Sequence, residues 1–178
     1  MQVAHAIEHA HHLGILHLDL KPANILFDAN GAPLVADFGL ARFRAVDRGL
    51  TIPAVALGSP NYMAPEQISA QFGEIGPATD VYGIGAVLYE LLTGRPPIIG
   101  EDDAATMHLV PTQPPLPGSQ TRPDIPADLD AIALKCLAKR PHERYSSAAD
   151  VARDLQAWLD GHQTSARRTA RSRSLQRW

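Results

Sequence analysis

Asp19, Lys21, Asn24 and Asp37 have the types and spacing of a reaction centre. The first three lie in one polar stretch, His17-Leu18-Asp19-Leu20-Lys21-Pro22-Ala23-Asn24. The fourth follows a short apolar run and stands in Asp37-Phe38-Gly39. A carboxylate can orient a hydroxyl nucleophile and take its proton. A lysine two residues on offers a compact cation to a moving phosphate. An amide oxygen and a second carboxylate are hard ligands of the kind Mg²⁺ prefers. Phosphoryl transfer needs this set, because its catalysis is almost entirely positioning and charge neutralisation.

The elements that must position these groups follow from periodicity and turn residues. Val3, Ile7, Ala10 and Leu13 recur at helical spacing, and Gly14 ends that helix. Ile15-Leu16-His17 and Ile25-Leu26-Phe27 read as short strands around the polar loop, and Asn30-Gly31 is a hairpin-turn signal. Leu34-Val35-Ala36 is then the return strand, which delivers Asp37 beside Asn24. Residues 40–63 lack a period and contain Gly49, Pro53, Gly58 and Pro60, the pattern of a functional loop. Thr79 or Asp80 is expected to cap a buried helix whose apolar face is Val81, Ile84, Val87, Leu88, Leu91 and Leu92, ended by Gly94-Arg95-Pro96. Helices are further expected near Asp102–Leu109, over Asp128–Lys139 and over Ser147–Leu159, with a Pro-rich connector from Pro111 to Pro126.

With these motifs in order, the chain resembles the eukaryotic-type protein kinase family, from about Ala4 to Leu159. Ala64-Pro65-Glu66 resembles the end of that family's activation segment, and Gly58-Ser59-Pro60-Asn61-Tyr62-Met63 the loop facing the substrate residue. Asp80-Val81-Tyr82-Gly83-Ile84-Gly85 is similar to the start of its central helix. Arg144 matches the arginine that pairs with the glutamate of Ala-Pro-Glu, here Glu66. Gly76-Pro77-Ala78-Thr79-Asp80 and Leu92-Thr93-Gly94-Arg95-Pro96-Pro97 look most like bacterial Ser/Thr kinases, and Lys21 favours Ser/Thr over Tyr specificity.

The resemblance implies roles residue by residue. Asp19 is the catalytic base, Lys21 meets the γ-phosphate of ATP, Asn24 and Asp37 hold Mg²⁺, and Leu26 packs under the adenine ring. His17 is architectural, and Ser59 bridges Asp19 and Lys21 or is a plain turn residue. The substrate is a protein Ser or Thr hydroxyl. One departure stands out: Leu18 replaces an arginine that in most relatives pairs with a phosphorylated loop residue. A leucine cannot form that pair, so Thr51 is a possible phosphosite without its usual partner.

The family's glycine-rich loop, strand lysine and helix glutamate have no counterpart in this sequence. The expected fold is therefore mainly α: a kinase large (C-terminal) lobe, a helical bundle with short β-hairpins at the catalytic loop and the small lobe missing. The alternative is an inactive kinase fragment or a non-catalytic interaction module.

Composition sets the remaining expectations. A hydrophobic content of 45% over 178 residues suits one domain with a real core. The single cysteine, Cys136, excludes an internal disulfide and fits a reducing, cytoplasmic setting, with the parent chain possible at a membrane. Residues 165–178 hold five arginines and no acid. With −3 overall and +5 there, residues 1–164 carry −8, which argues against specific nucleic-acid binding by the body. We expect a kinase lobe over 1–161 and a basic, disordered tail over 162–178, which could approach anionic lipid. Two further patterns occur. His5-Ala6-Ile7-Glu8-His9, with His12 a turn on, matches a zinc-protease spacing, whereas the resemblance assigns this helix surface and packing roles. Pro114 to Pro117 has PxxP spacing suited to an SH3-like partner, whereas the resemblance makes it a connector.

Overall fold

A computed structural model describes residues 1–38, the backbone of the strand at 42–43, and 59–168. Gly39, Thr51, Gly58 and the tail beyond 168 lie outside the described residues, with most of the expected 40–63 loop.

Helix α1 spans Gln2–His12 and ends before Gly14, as its apolar period requires. Strand β1 (Ile15–Leu16) leads into the polar loop, and β2 (Ile25–Phe27) and β3 (Pro33–Val35) form an antiparallel hairpin. Its turn is tied by Asp28, whose carboxylate accepts Asn30 N–H and Ala32 N–H at 2.8 Å each. Only one of the expected hairpins forms among the described residues. β1 pairs instead with the distant β4 (Arg42–Phe43), Ile15 opposite Phe43. A long-range pair of this kind carries no turn signal between its strands.

The rest is helical. α2 (Pro65–Ile68) and the central α3 (Pro77–Thr93) are followed by α4 (Asp103–Leu109), α5 (Gly118–Thr121), α6 (Ala127–Cys136) and α7 (Ala148–Leu159). No helix among the described residues is long and apolar enough to cross a membrane. The cap of α3 is Gly76, three residues before Thr79 and four before Asp80, the expected caps. Pro77, with its fixed φ, occupies the first turn, and Thr79 reaches back from inside the helix to accept Gly76 N–H at 3.1 Å. Asp80 is thereby left free to turn inward, with 1% of its surface exposed.

The core gathers Ile7 of α1, Leu20 of the polar loop, Val81 and Ile84 of α3, Ile132 and Cys136 of α6, and Val151 of α7. Burying each large aliphatic side chain contributes about 1.5–3 kcal/mol. The buried face of α3 differs from the expected one at Leu91, which is 73% exposed. Small residues set that face instead. A Cβ on Gly85 would sit 2.3 Å from Cys136 Cβ, and one on Gly83 would sit 2.7 Å from Leu20 Cβ. These glycines let α6 and the polar loop close directly onto α3.

The Pro-rich connector contains α5, whose first amides, Gly118 N–H at 2.8 Å and Ser119 N–H at 3.3 Å, are held by the Asp130 carboxylate. Part of the segment expected to be a disordered tail, residues 162–168, lies among the described residues. Residues 162–168 pack onto the lobe, with Thr164 and Ala166 buried. No large apolar side chain occurs among them, so hydropathy gives no sign that they dock.

Candidate active site

The loop from His17 to Asn24 hangs from a single buried carboxylate. Asp80 Oδ2 accepts His17 N–H at 2.9 Å, and Oδ1 accepts Leu18 N–H at 2.7 Å. His11 Nε2 lies 2.7 Å from the same Oδ2. Leu18 holds φ +68°, a left-handed conformation that costs a non-glycine residue about 1–2 kcal/mol. Hydrogen bonds fix it at both ends, because Gln67 Nε2 also donates to Leu18 O at 2.8 Å. Gln67 in turn accepts Ala64 N–H at 3.0 Å, which joins the loop to α2. The Leu18 side chain is 4% exposed, so it serves packing at this position.

Past this anchor Asp19 sits half-buried, its side chain 11% exposed. Asp19 N–H donates to His17 Nδ1 at 3.2 Å, and His17 Nε2 lies 3.1 Å from Ala36 O. The two ring nitrogens of a fully buried histidine therefore span the polar loop and the exit of β3. Phe38 stacks on the same ring, centroids 4.6 Å apart and planes tilted by 56°. This is the architectural role expected of His17.

Asp19, Lys21 and Asn24 meet. Lys21 Nζ donates to Asp19 Oδ2 at 2.8 Å. Asn24 Nδ2 donates to Asp19 O at 2.8 Å and to Asp19 Oδ2 at 3.2 Å. Pro22–Asn24 forms a tight 3₁₀ turn that puts the Asn24 side chain inward. Its amide nitrogen is thus committed to Asp19, and the amide oxygen is the atom left for a metal. Ser59 enters through its backbone, accepting Tyr62 N–H at 3.0 Å, while Lys21 reaches Asp19 without an intermediary.

The hairpin brings the fourth residue. Ala36 N–H donates to Asn24 O at 2.9 Å, so Asp37 leaves β3 one residue from Asn24's partner. Asp37 is exposed and itself holds φ +59°, a second strained residue at the same site. Leu26 and Leu34 of the hairpin are 54% and 52% exposed, on the surface that adjoins it. An amide oxygen and a carboxylate at adjoining positions fit a hard divalent cation such as Mg²⁺.

A second buried network braces α2 against the C-terminal helices. Arg144 clamps Glu66 through both nitrogens, at 2.6 and 2.7 Å, with both side chains fully buried. Thr79 Oγ1 adds a bond to Glu66 at 2.9 Å, and Arg144 also donates to Ala78 O, Ala138 O and Lys139 O. The Tyr82 ring lies 5.0 Å from the guanidinium. Burial pushes the Tyr82 hydroxyl well above its ordinary range, although Arg144 opposes the shift.

Sequence reasoning placed Asp19, Lys21, Asn24, Asp37, Glu66 and Arg144, but it missed His11, Gln67 and the true role of Asp80. An aspartate at the head of an apolar helix reads as a cap. The contrary signal was Pro77, which moves the helix start upstream. The histidines of the zinc-like spacing do not converge. Among the described residues no group of three metal-ligating side chains forms, and Glu8 instead accepts Ala149 N–H at the start of α7.

Residues 1–156 match the family described as protein kinase domain. The chain is 43% identical over 150 residues to serine/threonine-protein kinase PknB of Mycobacterium leprae, covering 84% of this chain and 24% of that protein. It is 39% identical over 166 residues to a probable serine/threonine-protein kinase of Streptomyces coelicolor, covering 92% and 24%. A probable serine/threonine-protein kinase of Corynebacterium efficiens is 39% identical over 161 residues, covering 86% and 24%. The chain spans about a quarter of the length of these curated relatives.

Proposed function

Since the chain belongs to the protein kinase family, we propose that it forms the large lobe of a serine/threonine kinase, over residues 1–161, which transfers the γ-phosphoryl group of ATP to protein hydroxyls. The observation that carries this reading is the Asp19 carboxylate, held between Lys21 Nζ and Asn24 Nδ2 with Asp37 delivered alongside by the hairpin.

Asp19 is pinned from both sides, so its second oxygen can orient a substrate Ser or Thr hydroxyl and accept its proton. Lys21 turns from Asp19 to the phosphoryl oxygens as negative charge gathers there. Asn24 Oδ1 and Asp37 hold Mg²⁺, which neutralises the phosphate charge when bound. Leu26 meets the adenine ring. The exposed apolar surface of Leu26, Leu34 and Phe38 is the face we assign to the small lobe. We assign the basic run after Thr164 to an anionic membrane surface on the cytoplasmic side of a longer parent chain, on the ground of its five arginines without an acid.

The test supplies the glycine-rich loop and lysine that this sequence does not contain. A chimera joins the small lobe of the Mycobacterium leprae relative to residues 1–178. Incubated with Mg²⁺, radiolabelled ATP and casein, it should label serine and threonine but not tyrosine. The chain alone should label neither, because several transition-state contacts are missing and each is worth roughly a hundredfold. A correctly folded chimera that transfers no label would overturn the catalytic reading and leave the interaction module.

A further inference from the structure

The segment Ser165–Ala166 and Tyr145 meet on one carboxylate far from the site above. Asp154 of α7 accepts Tyr145 Oη–H at 2.6 Å, Ser165 N–H and Ser165 Oγ–H at 2.8 Å each, and Ala166 N–H at 3.0 Å. Thr164 Oγ1 donates to Asp128 Oδ1 at 2.7 Å, at the start of α6. Lys135 Nζ lies 3.3 Å from Ser165 Oγ and 3.9 Å from the centre of the Tyr145 ring. Thr164 is 0% exposed and Ala166 is 3% exposed, and Ala166 joins the main core. The segment therefore closes over α6 and α7 by giving hydroxyl protons to two carboxylates.

Such a closure is sensitive to charge. Asp154 stays an anion. Burial alone would raise its carboxyl, but the donors from Tyr145, Ser165 and Ala166 outweigh burial and hold it below the usual carboxylate range. An anion in place of the Ser165 hydroxyl would face it directly, with Lys135 Nζ 3.3 Å from that hydroxyl as a partial counter-charge.

We propose that Ser165 is a phosphorylation site and that its modification opens this segment as a latch. In the transfer, Ser165 Oγ forms a bond to the terminal phosphorus of a nucleoside triphosphate. The bond from that phosphorus to the bridging oxygen breaks, and the electron pair leaves with the diphosphate. The hydroxyl proton passes to a base of the modifying kinase. Oγ is engaged in the closed state, so transfer occurs on transiently opened chain. The product has lost its donated proton and carries up to two negative charges, so it repels Asp154 and the latch does not re-close. Opening releases the chain that leads into Arg167, Arg168, Arg171, Arg173 and Arg177. The proposal stands whichever kinase places the phosphate, and so does not rest on the activity proposed above.

The experiment is hydrogen–deuterium exchange on chain 1–178 with phosphoserine encoded at position 165. Protection over 164–168 should fall about tenfold or more relative to the unmodified chain, while the amides of α3 keep theirs. Ser165→Ala, which adds no charge, should lose less. Should the phosphoserine chain lose protection throughout, Ser165→Glu is read in its place and should open 164–168 alone. The latch is wrong if the charged residue leaves 164–168 as protected as in the unmodified chain, or if Ser165→Ala opens it to the same extent.

Discussion

Asp80 grips the backbone of Leu18 across 62 residues of sequence, its Oδ1 accepting the amide at 2.7 Å while Leu18 holds φ +68°. The residue that follows is Asp19, so the proposed catalytic carboxylate is aimed by a side chain of the core helix. Asp80→Ala leaves the amides of His17 and Leu18 and the His11 ring without their acceptor. Each buried unsatisfied donor costs about 1–3 kcal/mol. We predict a loss of about 3–5 kcal/mol in urea unfolding, and a loss under 1 kcal/mol would contradict the anchoring role.

The Glu66–Arg144 pair should show strong coupling. Removing one partner of a buried ion pair costs about 3–5 kcal/mol, because the other charge is left unpaired in the interior. Glu66→Gln and Arg144→Met should each destabilise severely, and the double variant should cost much less than their sum. Additive effects in a double-mutant cycle would show that the clamp is not a unit.

Tyr82 carries the opposite expectation. Its hydroxyl is buried without a hydrogen-bond partner among the described residues. Tyr82→Phe removes that orphan group and keeps the ring beside Arg144. Thermal melting should be unchanged or raised, by up to about 1 kcal/mol of stability. A clear drop in Tm would mean that the hydroxyl is satisfied in solution.

Lys139 gives the fold a pH dependence. Burial first, and then the Arg144 charge, push its ammonium down to about 8 from 10.5, while Nζ donates to Val110 O at 2.6 Å. Above pH 8 the folded chain releases this proton before the unfolded chain does, so stability rises with pH toward 10.5. Cys136 acts in the other direction. Burial pushes its thiol up to about 12 from 9.0, so the unfolded chain ionises first and stability falls above pH 9. The lysine contribution is therefore cleanest between pH 8 and 9. Unfolding titrations at those two values should show a gain in the native chain that Lys139→Met lacks. Equal slopes in both proteins would refute the assignment.

Much of this site was legible because its parts are local. Asp19, Lys21 and Asn24 fall within one short loop, and the Asn30-Gly31 hairpin fixes where Asp37 emerges. What was not legible depends on distance or on small residues. The β1–β4 pair and the grip of Asp80 join segments with no local signal between them. The buried face of α3 is set by Gly83 and Gly85, which hydropathy does not count as core, and so an apolar period counts the exposed Leu91 as inward. The docking of Thr164 to Ala166 rests on polar donors to Asp128 and Asp154, and a composition reading takes such residues for solvated tail.

Single-turnover kinetics of the chimera test most directly whether Asp19 and its partners perform phosphoryl transfer. With Mg²⁺ and radiolabelled ATP in excess, the chimera should phosphorylate a Ser/Thr substrate, and Asp19→Ala should slow the transfer by roughly a hundredfold or more. Asp37→Ala should lose transfer as well, with partial recovery at high Mg²⁺. A chimera carrying Asp19→Ala that transfers phosphate as fast as its parent would contradict the account.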